Sequence, residues 1–131
     1  MEKERDYESK VIFVSKEVSA KERIMLKDVS DCESLDSLTD DGQAIMLNPD
    51  YYAQIEIHNE KSDNKDYTVT VVVDKDGTRY KTGSESFVRT MVDMLSDAKE
   101  LESSGESWSL KVYKKPSKNR SGKGFITCSI V

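Results

Sequence analysis

The stretch YTVTVVVDKDGTRYKT, residues 67–82, decides the fold because it predicts a β-hairpin. Residues 67–73 are mostly β-branched, a composition typical of a strand. Asp76 and Gly77 follow, and an Asp-Gly pair between two such runs is a strong signal for a tight turn. Residues 78–82 predict the returning strand. The hairpin favours a mainly β protein.

After this hairpin the apolar pattern changes to a helical period. Apolar side chains recur at spacings of three and four, which places them on one face of a helix. They are Phe87, Met91, Met94, Leu95, Ala98 and Leu101. Ser84 is a suitable N-cap, so the pattern predicts one long helix over residues 84–102.

The rest of the chain predicts shorter elements. Apolar runs and period-two alternation predict strands at residues 10–15, 43–47, 51–58, 108–115 and 125–131. Ser19 and Glu22 have capping-box spacing and predict a short helix over residues 20–28. Ser30 and Glu33 repeat that spacing with few apolar residues, which indicates a helical turn or an irregular segment.

The order of these elements favours a mainly β fold with one long helix. A helix before the last pair of short strands fits a small OB-like Greek-key β-barrel. An open α+β sheet with the helix on one face is the alternative. We expect a single domain over residues 1–131, with residues 1–9 as a solvated, frayed start.

Charge is distributed unevenly along the chain. Residues 107–131 carry six Lys or Arg and no Asp or Glu. Residues 1–106 carry fourteen basic and twenty-five acidic residues, a difference of −11. The net charge of −5 does not exclude nucleic acid as a partner, because the local distribution decides contacts with phosphates.

Aromatic rings lie among these basic residues. Tyr113 and Phe125 fall on the outward-alternating side of the last two predicted strands. Cations that neutralise phosphates, together with rings that stack on bases, suit sequence-independent binding of a single strand. A hairpin made soluble by Lys is the structural alternative. The candidate nucleic-acid-binding residues are Arg79, Tyr80, Lys81, Lys111, Tyr113, Lys114, Lys115, Lys118, Arg120, Lys123 and Phe125.

No pattern supports catalysis, a cofactor or a metal. The RSGKG stretch, residues 120–124, lacks the first Gly and the final Ser or Thr of a phosphate loop. His58 is the only histidine, on the polar side of a predicted strand, and is expected at the surface. We therefore expect a protein that is not an enzyme. Trp108 and Tyr67 share faces with apolar residues and are expected in the core.

The cysteines and the N-terminus predict the compartment. Cys32 and Cys128 are far apart in sequence and predict reduced thiols, with Cys128 in the core. The charged start MEKERDYESK lacks the apolar segment of a signal peptide. No run approaches the ~18 apolar residues of a membrane span. A cytoplasmic protein with no membrane partner is expected.

The second half of the chain resembles small single-stranded DNA-binding proteins of phages and related mobile elements. The shared pattern is a hairpin with Asp76, Gly77 and Tyr80, then a Ser-led helix and a Lys-containing strand. A loop rich in Lys, Gly and Asn and a final strand led by Phe125 complete it. The resemblance covers residues 67–131. It implies an OB-type barrel that coats single strands during replication or recombination.

Two hypotheses follow. The first is non-catalytic, largely sequence-independent binding of single-stranded DNA, with RNA as an alternative ligand and with assembly into a homo-oligomer. The second is an acidic accessory factor or inhibitor that imitates nucleic acid. It would act on a replication or host protein through the acidic N-terminal half. Neutralising Lys118, Arg120 and Lys123 abolishes function under the first hypothesis only.

Overall fold

The computed structural model describes residues 7–116 and 124–131. Within these ranges the chain forms eight β-strands, three α-helices and a 3-10 helix. The elements are β1 (Tyr7–Val14), α1 (Ala20–Met25), the 3-10 helix (Val29–Asp31), β2 (Glu33–Ser34), α2 (Leu35–Leu38), β3 (Ile45–Leu47), β4 (Pro49–Asn59), β5 (Asp66–Asp74), β6 (Arg79–Thr82), α3 (Glu85–Ser103), β7 (Leu110–Pro116) and β8 (Gly124–Ile130).

The described strands form two sheets. One has five strands in the order β1-β4-β5-β6-β2, and the other has three in the order β3-β7-β8. The mainly β class with one long helix is confirmed. Neither sheet closes on itself, so the OB-like barrel stays a prediction. The chain divides into a first unit, residues 1–33 and 50–83, and a second unit, residues 34–49 and 84–131. The expectation of a single domain also stays a prediction.

The predicted hairpin is β5 and β6 of the first unit. The two strands pair antiparallel, as expected, with Val72 opposite Tyr80. Gly77 closes the turn at φ +91°, a conformation that favours glycine. The Asp76 carboxylate accepts a hydrogen bond from the Thr78 backbone N–H at 2.8 Å, which fixes the turn.

The core of the first unit lies on one face of its sheet. The predicted alternation in β4 is confirmed, because Tyr51, Ala53, Ile55 and Ile57 are buried. Tyr67 packs against this core while half-buried. Strand β1 begins at Tyr7, before the predicted strand, so residues 7–9 are part of the sheet. Residues 1–6 of the predicted frayed start lie outside the described residues.

Helix α1 begins where predicted and ends earlier. The Ser19 hydroxyl accepts a hydrogen bond from the Glu22 N–H at 3.1 Å and caps the helix. The helix ends at Met25, and the Lys27 and Asp28 N–H groups then donate to the carbonyl oxygens three residues earlier, at 3.1 Å each, in a tighter turn. The repeated capping signal at Ser30 and Glu33 corresponds to the 3-10 helix and β2, in keeping with the predicted irregular segment.

Helix α3 forms the core of the second unit together with its sheet. The Ser84 hydroxyl accepts a hydrogen bond from the Phe87 N–H at 3.3 Å, which confirms the predicted N-cap. Phe87, Met91 and Ala98 are fully buried, and the helix packs against β8. Cys128 is buried on that side of β8, as expected.

Trp108 is not in the core, contrary to expectation. It is half-buried, and its indole N–H donates a hydrogen bond to Glu102 at 3.3 Å. Trp108 lies two residues before β7, which begins at Leu110, so it is not part of the buried face of that strand. Cys32 and Cys128 are both free and buried, and burial raises the pKa of Cys128 to about 11. Burial also raises the pKa of Cys32.

Candidate nucleic-acid interface

Strands β7 and β8 pair in a register that sorts their side chains onto two faces. Lys111 lies opposite Ser129, Tyr113 opposite Thr127, and Lys115 opposite Phe125. Because side chains alternate across a strand, these six share one face. The other face is mostly apolar and buried, with Lys114 as its charged residue. Its buried residues are Leu110, Val112, Ile126 and Cys128.

Strand β3 extends the first of these faces. Met46 lies opposite Lys111, and its side chain is 52% exposed. Phe125 is 48% exposed. The register places Tyr113 and Phe125 on the same face, as predicted, with Phe125 exposed and Tyr113 half-buried, whereas Met46 was missed. We call this surface the outward face. It consists of Met46, Lys111, Tyr113, Lys115, Phe125, Thr127 and Ser129.

The Tyr113 ring is held in place from two sides. The Lys111 ammonium group lies 5.2 Å from the ring centroid, within the range of a cation–π contact. The Tyr113 and Ser129 hydroxyls are hydrogen-bonded at 2.9 Å. A ring that is already oriented loses little conformational freedom when a base stacks on it.

The spacing of the two rings suits an extended strand. Tyr113 and Phe125 are diagonal neighbours across β7 and β8, a relationship that separates side chains by about 7–8 Å. Nucleotides in each strand of a duplex advance by only about 3.4 Å. If two neighbouring bases stack on the two rings, the nucleic acid there is more extended than in a duplex, as single strands can be.

The charges of the outward face are all positive. Lys111 and Lys115 lie on it, and none of its seven side chains carries a carboxylate. Lys114 is on the opposite face of β7 and forms an ion pair with Asp40. A phosphate that binds Lys114 must therefore displace this carboxylate. Its predicted role in binding remains untested.

The end of the β7–β8 ladder approaches the predicted basic loop. Gly124 lies opposite Pro116, and a Cβ atom at Gly124 would lie 2.9 Å from the Lys115 carbonyl oxygen. Glycine thus allows the two strands to approach there. The predicted contacts Lys118, Arg120 and Lys123 belong to residues 117–123, which lie outside the described residues.

The predicted binding residues of β6 lie in the first unit. As expected, Tyr80 faces the opposite side from Arg79 and Lys81. The Arg79 guanidinium donates to the Met25 carbonyl oxygen at 2.6 Å and to Asp31 at 3.1 Å. Its side chain is only 16% exposed, so these contacts hold α1 and the 3-10 helix to the sheet.

The other two predicted binding residues of β6, Tyr80 and Lys81, are partly buried. Tyr80 is half-buried, and burial raises its pKa, with a further contribution from the Asp74 charge. Lys81 is also half-buried and lies opposite the core residue Val71. Binding by these residues remains a prediction.

A second pair of rings, exposed Phe13 and half-buried Tyr52, occurs in the first unit, and the sequence pattern did not reveal it. The centroids of Phe13 and Tyr52 are 5.6 Å apart. According to the strand register, their face of the sheet carries Glu8 and Glu56 together with Lys10 and His58, so its charges are mixed. Carboxylates repel phosphates, so this face is less suited to nucleic acid than the outward face.

The only histidine of the chain contacts two carboxylates. His58 is at the surface, as expected, and its ring nitrogens bond Asp66 at 2.8 Å and Glu60 at 2.7 Å. Among residues 7–116 and 124–131, no three His, Cys, Asp or Glu side chains are grouped as metal ligands.

A comparison with known protein families shows the family of this chain. The family model described as phage single-stranded DNA-binding protein matches residues 8–131. The chain belongs to this family. No curated protein and no solved structure gave a significant match.

Membership of the phage single-stranded DNA-binding family extends the expected resemblance. The sequence pattern supported it over residues 67–131, whereas the family match begins at residue 8 and includes β1. The family model therefore also covers the acidic first half from residue 8 onwards. In the described part of the chain, no helix is long and apolar enough to cross a membrane.

Proposed function

We propose that the protein binds single-stranded DNA, largely independently of sequence, on the outward face. Membership of the phage single-stranded DNA-binding family is the observation that carries this proposal. The outward face supports it, because it combines two oriented or exposed rings with two cations and no carboxylate.

In this proposal the rings bind bases and the cations bind phosphates. One base stacks on Tyr113 and another on Phe125, each contributing about 1–3 kcal/mol. Lys111 and Lys115 neutralise phosphates, together with Lys118, Arg120 and Lys123 of the predicted basic segment. Met46 offers an apolar contact beside Lys111. Stacking on any base explains sequence tolerance, since every base has a π-face.

The cellular role is part of the same proposal. The protein coats single strands in the replication or recombination of a phage or mobile element and catalyses no reaction. We also propose an OB-type barrel, a cytoplasmic location and homo-oligomeric assembly. Lys114, Arg79, Tyr80 and Lys81 are additional contacts in this proposal. The family description supports the role on single strands, and the element order supports the barrel.

A titration of labelled oligo-dT tests the proposal. A length of about 30 nucleotides exceeds the site of one OB fold, which is roughly 4–16 nucleotides. Fluorescence anisotropy is measured at low and moderate salt, with duplex DNA and oligo-U as comparisons. We expect tight binding that weakens steeply with salt and is much poorer for duplex.

A loop variant provides the control. Replacing Lys118, Arg120 and Lys123 together by Gln should weaken binding and flatten its salt dependence, because fewer counterions are released. Absence of binding by the unmodified protein at low salt would refute the proposal. That result would favour the alternative, a factor that acts on a host protein through its acidic half.

A further inference from the structure

The free edge of the five-stranded sheet borders a groove. Strand β1 is the last strand of that sheet, so one edge of its backbone pairs with no other described strand. Helix α1 lies alongside, and a groove of about 320 Å³ separates the two elements. Exposed strand edges can accept an additional strand, and proteins commonly protect them.

The lining of this edge groove is aliphatic and basic. Its side chains belong to Lys10, Val11, Ala20, Arg23, Ile24 and Lys27. Three of the six are cations, and none is acidic. Ile24 is 67% exposed, and Ile12 of the adjacent strand is 46% exposed. The groove therefore suits a ligand that is both anionic and apolar.

The walls of the edge groove are fixed by packing and hydrogen bonds. Leu26, directly after α1, is buried in the core of the first unit. The Ser9 hydroxyl of β1 donates a hydrogen bond to the Lys27 carbonyl oxygen at 3.0 Å. Arg79 donates to the Met25 carbonyl oxygen at 2.6 Å. The end of α1 is thus held against the sheet without a ligand.

The three cations form no ion pair within the described residues, although Lys10 lies opposite Glu56 in the β1–β4 ladder. None of the ion pairs found there includes Lys10, Arg23 or Lys27. Protection of an edge strand accounts for Lys10, and a favourable helix dipole accounts for cations near the end of α1. Neither explanation accounts for the exposed side chain of Ile24, which lies between Arg23 and Lys27 in the sequence.

We propose that the edge groove binds an extended acidic peptide of a partner protein. The peptide adds as a strand beside β1, its carboxylates meet Lys10, Arg23 and Lys27, and its apolar side chains contact Ile24. The β-bulge between Val11 and Phe13 interrupts the ladder. The regular edge thus accommodates about five peptide residues.

A peptide fits the edge groove better than a nucleic acid. No aromatic ring lines it, so bases have no stacking surface. The free edge of β1 offers backbone N–H and C=O groups, whose spacing matches another extended polypeptide. The proposal concerns a surface of the first unit and does not depend on the outward face.

Amide chemical shifts of the ¹⁵N-labelled full-length chain test the proposal. The probe is the blocked peptide DVEID, which alternates acidic and aliphatic residues. We expect saturable shift changes at β1 and α1. The peptide KVKIK reverses the charges, and N-methylation of the central Glu of DVEID removes one backbone donor while keeping the carboxylate. Both should bind at least tenfold more weakly, because each lacks one required interaction.

A charge-reversal pair provides the matched control. Arg23→Glu should weaken DVEID binding at least tenfold. Lys21→Glu makes the same change on α1 outside the groove and should alter it by less than twofold. Neither variant should change oligo-dT affinity more than twofold, which separates this proposal from the proposed DNA binding. Absence of saturable DVEID shifts at millimolar peptide would overturn it. So would oligo-dT shifts centred on the groove.

Discussion

The Lys111 ammonium group lies 5.2 Å from the centroid of the Tyr113 ring. The two residues are next neighbours on one side of β7, so the strand presents a cation and a ring together. A base stacked on Tyr113 brings its phosphate close to a positive charge. This pair is the centre of the proposed binding surface.

Removing the Tyr113 ring should weaken binding of oligo-dT. We expect Tyr113→Ala to reduce affinity about 5- to 150-fold, which corresponds to about 1–3 kcal/mol for one stacked base. Tyr113→Phe keeps the ring and loses only the hydrogen bond to Ser129, so its loss should be much smaller. Fluorescence anisotropy measures both. Equal losses would mean that the hydroxyl, and not the ring, matters.

Phe13 of the first unit provides a matched control for a substitution at Phe125. Phe125 is 48% exposed and Phe13 is 44% exposed, so truncation removes similar surface. We expect Phe125→Ala to weaken oligo-dT binding about 5- to 150-fold by loss of stacking. Phe13→Ala should leave the affinity within twofold. A larger effect at Phe13 would place the strand on β1 and β4.

Lys115 should contribute to the salt dependence of binding. Each phosphate neutralised on a single strand adds about 0.7 to the slope of log affinity against log salt. Lys115→Gln should therefore lower the steepness by about that amount. Lys99→Gln removes an exposed cation from α3 and should leave the slope unchanged. Titrations at four or more salt concentrations give the slopes, and identical slopes would exclude Lys115 as a phosphate contact.

The ion pair between Lys114 and Asp40 should oppose binding by Lys114. Asp40→Asn frees the ammonium group, so oligo-dT affinity should rise severalfold in anisotropy titrations. Asp41→Asn removes the same charge from the next residue and should raise it less. Lys114→Gln should cost more affinity in the Asp40→Asn background than in the unmodified protein. An equal cost in both would show that Lys114 contacts no phosphate.

His58 should make stability depend on pH near neutrality. Hydrogen bonds to Asp66 and Glu60 raise the pKa of His58 above its usual 6.5. The stabilisation is therefore complete below about pH 6.5 and is lost as the pH rises through the folded-state value. Urea unfolding of the protein and of His58→Gln should show a stability difference that shrinks as the pH rises. A difference that grows with pH would contradict this.

Local signals in the sequence predicted the elements that depend on neighbouring residues. The Asp76-Gly77 turn and the Ser84 cap act within three residues, and both are confirmed. The outward orientation of Tyr113 and Phe125 follows from alternation alone. Pairing of β3 with β7 brings Met46 beside Lys111, and that register is set by strands distant in sequence.

The long-range contacts of charged residues were not predictable. Arg79 bonds Asp31, which is 48 residues away, and Lys114 pairs with Asp40, which is 74 residues away. Sequence pattern marks such residues as cations and does not indicate whether a carboxylate already holds them. The early end of α1 was not predictable either, since the chain tightens into i→i−3 hydrogen bonds at Lys27 and Asp28 where the local pattern favoured a continued helix.

The most direct test of the central claim is a map of amide chemical-shift changes when oligo-dT is added to the ¹⁵N-labelled protein. We predict that the largest changes lie in β3, β7 and β8, and include Met46, Tyr113 and Phe125. Changes confined to β1, β4 or α3, with the outward face unaffected, would contradict the account.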